Sequence, residues 1–421
     1  MKLAVVGGGW AGLAAAVRAT QAGHAVTLLE MAGQLGGRAR GVDVEGLALD
    51  NGQHILIGAY RRTLDLMRTL GVDEATVFHR RPLELRYPDG RGLRMPAGFA
   101  WLGFGWAVAT CQGWTWRDRA ALIRQASGWA LAGFRCPPAL TVAQLCHRLP
   151  PAVRELLIDP LCVAALNTPA TDASASVLLR VLRDALFGGR GSADLLLPRC
   201  SLRALLPEPA HAWLRKAGAQ VRLGQRVDAM APVTAGWQLD GEMFDGVILA
   251  CTASEAARLT RDVAPGWSEQ AGALCYEPIV TVYLRCPGAR LLAPMTALLE
   301  SPQAPAQFAF DHGALGLTPG LFAFVVSGAR RWVDAGLPAT GQAVLQQALN
   351  DFPAATWPAA PTLVKVLAEK RATFRCTPAL RRPPARIATG LAAAGDYIDG
   401  PYPATLEGAV QTGENALRAL G

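Results

Sequence analysis

The chain opens with short apolar runs punctuated by glycine. Leu3 to Val6 is an apolar run closed by Gly7-Gly8-Gly9, the length of a buried strand. From Ala11 to Ala22 good helix formers predominate, Gly23 stands at the cap position, and Ala25 to Leu29 reads as a second strand ending at Glu30. Strand, helix and strand in this order predict a crossover unit of a parallel sheet. The same texture returns further on. "AWLRKAGAQVRLGQRVDAM" predicts a helix, a glycine turn and a strand, and "FDGVILACTASEAARLT" a buried strand followed by a helix. The end, "LAAAGDYIDGPYPATLEGAVQTGENALRAL", predicts a strand, a Gly-Asp turn, a loop and a helix. Between these pieces the pattern changes. Residues 76–205 show helical spacing rich in Leu and Trp, with proline breaks, and residues 261–385 are mixed, with strands predicted at Ile279–Leu284 and Leu321–Val326. The expected class is therefore α/β, with one discontinuous domain (1–75, 206–260 and 386–421) and an inserted α+β domain (76–205 and 261–385). No internal repeat or low-complexity linker is visible.

The glycines give the first unit a chemistry. Gly7-x-Gly9-x-x-Gly12 after a strand and at the head of a helix is the dinucleotide fingerprint. The first glycine permits the turn, the second lets a pyrophosphate reach the backbone, and the third lets helix and strand pack closely. Trp10 and Ala11 then sit at a helix N-terminus, where free N–H groups and the dipole favour anions. Glu30 is placed to accept hydrogen bonds from ribose hydroxyls and disfavours a 2′-phosphate. A secretory leader would need an unbroken apolar core, and the glycines interrupt it. Just past the second strand, Gly36-Gly37-Arg38 offers a guanidinium fork suited to diphosphate oxygens. Asp50-Asn51-Gly52-Gln53-His54 then leads into an apolar strand.

Composition narrows the partners. Of 421 residues 51% are hydrophobic and 18% charged, with a net charge of +8. The basic residues are scattered, so no nucleic-acid partner is expected; the charge reads first as biased composition and second as weak attraction to anionic lipid. Nine cysteines without C-x-x-C spacing read as free thiols in a reducing, cytoplasmic compartment. The dispersed histidines suggest no metal site.

Together, Gly7-Gly8-Gly9-x-x-Gly12, Glu30, Gly36-Gly37-Arg38, Gly395-Asp396 and Glu407-Gly408-Ala409 resemble the flavin-dependent amine oxidase and carotenoid desaturase superfamily. More narrowly, "PLCVAALNTPATDASASVLLRVLRDALFGGRGSADLLLPRCSL" is similar to the bacterial squalene-associated desaturase-like family, whose members are hydroxysqualene dehydroxylases of hopanoid biosynthesis. The resemblance implies a Rossmann-type FAD-binding domain with an inserted substrate domain. It implies FAD as cofactor, with Glu30 at the adenosine ribose, Gly37 and Arg38 at the diphosphate and Val227 at the adenine through its backbone. It places Gly395 and Asp396 by the diphosphate and ribitol, and a helix starting near Ala404 at the flavin edge. The implied reaction is reductive: hydroxysqualene, a long isoprenoid, loses water and gains hydride to give squalene, with an unidentified donor recharging the flavin. A general acid is then required. His54, Asp50 and Glu407 are candidates, although His54 is equally a structural residue and Glu407 a backbone partner. Tyr397 and Tyr402 are candidates to line the site and stabilise a cation. The alternatives are an oxidative, phytoene-type desaturase and, from another class, a non-enzymatic isoprenoid carrier. A small-amine oxidase is disfavoured by the apolar middle segment.

Met95–Trp116 contains no charge over 22 residues and carries Trp101, Trp106, Trp114 and Trp116. A stretch of about 20 apolar residues can span a bilayer. A single span here, however, would separate Gly9 from Asp396, which must meet on one FAD. The segment is expected to be either core or a peripheral, one-leaflet contact on the inner face of the cytoplasmic membrane.

Overall fold

The computed structural model describes residues 1–421. Its first sheet has six strands in the order Gln220–Leu223, Ala25–Glu30, Lys2–Val6, Gly246–Leu249, Leu391–Ala393 and Arg386–Ala388. The first five run parallel, and the edge strand Arg386–Ala388 antiparallel. Lys2–Val6 is central because it is apolar on both faces, with Leu3 to Val6 all buried. The register pairs Val6 with Leu249 and with Leu29, so the strand ends carrying Gly7, Glu30 and Ala250 finish side by side. Ligands of open α/β sheets bind at such carboxyl ends.

Helix Trp10–Gln21 covers this sheet and packs closely against the last helix, Leu406–Ala419. A Cβ at Gly413 would lie 2.2 Å from the Ala11 carbonyl oxygen, so only glycine permits this crossing. Residues 230–244 add a three-stranded antiparallel meander to the predicted helix–strand pattern of this region.

The second unit is built on a five-stranded antiparallel sheet, Met295–Ala297, Phe308–Asp311, Leu321–Val326, Tyr276–Arg285 and Thr362–Phe374. Helix Leu337–Asp351 and an edge-to-face group of Phe322, Phe352 and Trp357 cover one face. One apolar cluster runs from Val6, Leu249 and Ala393 of the first sheet to Phe308, Phe310 and Val325 of the second. The two units therefore share a core.

Residues 76–205 are helical in the main but also contain strands. Leu195–Pro198 pairs with both Phe78–Arg81 and Leu56–Ile57. Helix Asp159–Leu166 follows a single π turn, Arg154–Ile158, and ends at Asn167 in the left-handed conformation, φ 45°.

Candidate functional site

A cavity of about 600 Å³ lies over the carboxyl ends of the parallel strands and reaches the second sheet. Gly7, Gly9, Trp10, Ala11, Glu30, Gly37, Arg38, Val227, Gly395, Asp396 and Ala404 all line it. Segments distant in sequence thus form one cradle.

The glycines divide into two roles. A Cβ on Gly9 would meet nothing nearer than the Gly37 Cα at 3.9 Å, so the space beside Gly9 is ligand space. A Cβ on Gly12 would lie 1.8 Å from the Gly7 carbonyl oxygen. Gly12 does not line the cavity, and its part in binding is packing. The loop at Gly36 docks on the fingerprint by donating its N–H to the Gly8 carbonyl at 2.9 Å. The Trp10 indole N–H adds a bond to the Ala39 carbonyl at 3.1 Å.

Glu30 is buried, and its two oxygens accept from the N–H groups of Gly8, at 2.6 Å, and Ala32, at 2.7 Å. These bonds fix the carboxylate at the cavity wall, and each oxygen keeps acceptor capacity for a ribose hydroxyl. The Val227 carbonyl accepts from Arg258, whereas its N–H has no intramolecular acceptor. A free backbone donor beside a ring-sized space suits a purine edge.

Arg38 donates through Nη1 to the carbonyls of Ala372 (2.9 Å) and Arg371 (3.3 Å), and through Nη2 to Asp396 at 2.5 Å. Burial works against its charge, but the Asp396 carboxylate outweighs it and raises the Arg38 pKa. The Tyr397 hydroxyl is buried without a partner beside this pair. Burial, then Cys251, holds its pKa well above the ordinary tyrosine value, so it is a protonated O–H without a partner at the cavity wall.

The catalytic candidates separate. His54 lines the cavity, with burial first and the Arg38 charge second lowering its pKa to about 4, so it is a neutral imidazole at neutral pH. Asp50 does not line the cavity. Its Oδ1 accepts from Leu202 N–H at 3.0 Å and its carbonyl from the Tyr283 hydroxyl at 2.7 Å; burial raises its pKa to about 7. Glu407 is also outside the cavity wall. Its carboxylate accepts from the N–H groups of Arg62 and Thr63 and from the Thr63 hydroxyl, which makes it the cap of helix Arg61–Thr69. Tyr402 lies outside too, under the Arg180 guanidinium at 5.3 Å. The last helix begins at Leu406 with Thr405 as N-cap, within two residues of Ala404. Ala404 itself takes a left-handed turn, φ 56°, and gives its N–H to the Asp396 carbonyl. Thr405, Leu406 and Ala409 bring the helix N-terminus to the cavity.

Asn167 was absent from the sequence-based candidates. Its side chain donates to the Glu277 carbonyl (3.1 Å) and Thr373 Oγ1 (2.9 Å) and accepts from Gly328 N–H (2.7 Å). It thereby pins the helix bearing Val163, Ala164 and Ala165 to the second sheet at the cavity wall. The signal was an Asn directly after an apolar helix, where αL caps occur. From the second sheet, Ile279, Phe308, Phe310 and Val325 line the same cavity, so its two ends differ in polarity.

Fold and cradle define an α/β, dinucleotide-binding oxidoreductase. Residues 10–420 match the model of the flavin containing amine oxidoreductase family, and the chain belongs to that family. It is an FAD-dependent oxidoreductase, and the orphan donors at Val227 and Tyr397 and the open side of Gly9 fit FAD. The hydroxysqualene dehydroxylase of Rhodopseudomonas palustris is 29% identical over 98% of this chain and 96% of its own. That of Sinorhizobium fredii is 25% identical over the same shares, 98% and 96%. The crystal structure of an oxidoreductase from Methanosarcina mazei superimposes with a TM-score of 0.73 at 16% identity, covering 99% of this chain and 100% of that one.

Proposed function

We propose that the enzyme reduces hydroxysqualene to squalene, a step of triterpenoid precursor synthesis. The observation that carries this reading is the single cavity that joins a polar dinucleotide cradle to an apolar compartment. The end-to-end likeness to hydroxysqualene dehydroxylases supports this choice of substrate. In the reaction the allylic C–O bond breaks, the oxygen leaves as water with one proton, and a new C–H bond forms. When bound, reduced FAD would supply the hydride, the one piece of chemistry that no side chain offers.

The chain's own residues do the rest. Glu30, Arg38, Val227 and Tyr397 would hold the cofactor, and the helix N-terminus at Thr405 favours negative charge beside it. Phe308, Phe310 and Val325 would enclose the isoprenoid and exclude water from the developing cation. His54 is the catalytic candidate at the cavity wall. Being neutral, it would hold the leaving hydroxyl by an N–H hydrogen bond, and the proton that leaves with the oxygen as water would be drawn from solvent. A separate reductant must recharge the flavin between turnovers.

The test is product analysis. Anaerobic, photoreduced holoenzyme given hydroxysqualene should yield squalene, and His54→Ala should retain FAD but lose about tenfold in turnover, the scale of one lost hydrogen bond. Absence of squalene, with oxidised enzyme desaturating phytoene, would replace this reading by the desaturase one. A colourless protein that still binds isoprenoids would indicate a carrier.

A further inference from the structure

Helix Ala100–Thr110 carries no charged residue and is apolar on all sides. One side is core: Gly103, Ala107 and Val108 are buried. The other side faces outward, with Trp101 52%, Leu102 55% and Trp106 63% exposed, preceded by Phe99 at 56%. The following helix, Trp116–Leu131, extends the surface through Trp116 and Leu131. At one end of the surface the backbone of Phe99 bridges to Arg190, close after exposed Phe187, whose ring meets Phe134 at 5.5 Å. Exposed apolar side chains thus gather on helix Ala100–Thr110 and on the two helices packed against it, Trp116–Leu131 and Ala175–Phe187. Water-exposed surfaces of this kind mark contact sites, and rows of Trp with flanking Arg suit a lipid interface.

Charge selects the partner. Between Arg94 and Arg135 the basic residues are Arg94, Arg117, Arg119, Arg124 and Arg135, against a single acid, Asp118. That acid is engaged in a capping box with Thr115. The Arg117 guanidinium lies 5.5 Å from the Trp116 ring, keeping cation and indole together. Arg119 is tied to the Cys111 carbonyl, while Arg94, Arg117, Arg124 and Arg135 are exposed, and an apolar face with such arginines on its flanking segments complements an anionic headgroup layer over an acyl layer. The helix does not cross the membrane. Its 11 residues reach about 16 Å, roughly half a bilayer's hydrocarbon core. No helix in the structure is long and apolar enough to span.

We propose that this face docks into one leaflet of an anionic bilayer, with Phe99, Trp101, Leu102 and Trp106 among the acyl chains and the arginines at the headgroups. The argument stands apart from the identity of the substrate, although a squalene-like substrate would reach the enzyme from that phase.

Flotation of FAD-loaded enzyme with phosphatidylcholine–phosphatidylglycerol vesicles tests it. The enzyme should float with them and more weakly with phosphatidylcholine alone. Brominated lipid should quench its tryptophan emission. Replacing Trp101→Asp and Trp106→Asp together should cut partitioning by at least about tenfold while FAD content and melting temperature hold, because both side chains are exposed. Wild-type enzyme that neither floats nor is quenched overturns the proposal, as does a double variant that floats like wild type. So does a wild-type dimer that the double variant dissociates without any vesicle binding, since a second copy would then be the occupant. Should the variant misfold, wild-type quenching decides the matter.

Discussion

At the scale of single residues, burial does the most to set chemical character. His312 is 4% exposed, its Nε2 has no partner, and burial lowers its pKa to about 4 from an ordinary 6.5. A depressed base loses stability as pH falls, because the unfolded chain takes up the proton first. The loss begins below 6.5 and is complete below about 4. Integrated down to pH 4 it is about 3 kcal/mol. Asp50 runs the other way: its raised pKa makes the fold more stable as pH falls from about 7 toward 3.8. A single substitution separates the two. His312→Phe keeps an edge-on ring against Tyr283 (5.8 Å, 86° in the native pair) and loses no hydrogen bond of the orphaned nitrogen. Urea unfolding should show the variant gaining about 3 kcal/mol on the wild type between pH 7 and pH 4. A constant gap would show that His312 titrates normally.

Elements show why some roles were legible and others were not. The fingerprint and Glu30 could be read because every part lies within one crossover unit. Glu407 was legible as a backbone partner, but which backbone it binds was not, because Arg62 and Thr63 come from a helix far away in the chain and nothing near Glu407 announces them. The strands at Phe78–Arg81 and Leu195–Pro198 were hidden for a similar reason: the first is short and mostly polar, the second short and apolar, and each is identified only by its distant partner. Met95–Trp116 was silent because a helix apolar all round has no preferred face, and only packing reveals which side is core. Glu407 gives the sharper test. Glu407→Ala would strand two N–H groups and the Thr63 hydroxyl in a buried place, a cost of about 1–3 kcal/mol. Turnover per bound FAD should be unchanged. A large loss of turnover at full flavin occupancy would return Glu407 to the active site.

At the scale of the whole molecule, the cavity wall draws on the first strand, the glycine loop, the second sheet and the last helix. A ligand that touches all of these binds only when they are assembled, so FAD should stabilise the entire fold through linkage. Free FAD at a hundredfold excess over its Kd should add about 2.7 kcal/mol. Melting of flavin-stripped protein should therefore shift upward with added FAD. The control is Gly9→Val. Gly9 has φ −72° and ψ 179°, a backbone that any residue adopts, so valine is tolerated by the chain itself. Its side chain would enter the space that, for the glycine, is bounded only by Gly37 Cα at 3.9 Å. The variant should fold, melt near the flavin-free wild type and show neither visible flavin absorbance nor any shift on adding FAD. Gly12→Val would not serve, because its Cβ collides with the Gly7 carbonyl and the fold itself must give way. If Gly9→Val retained flavin and its thermal shift, the pyrophosphate would have to lie elsewhere in the cavity, and the cradle at the fingerprint would be misassigned.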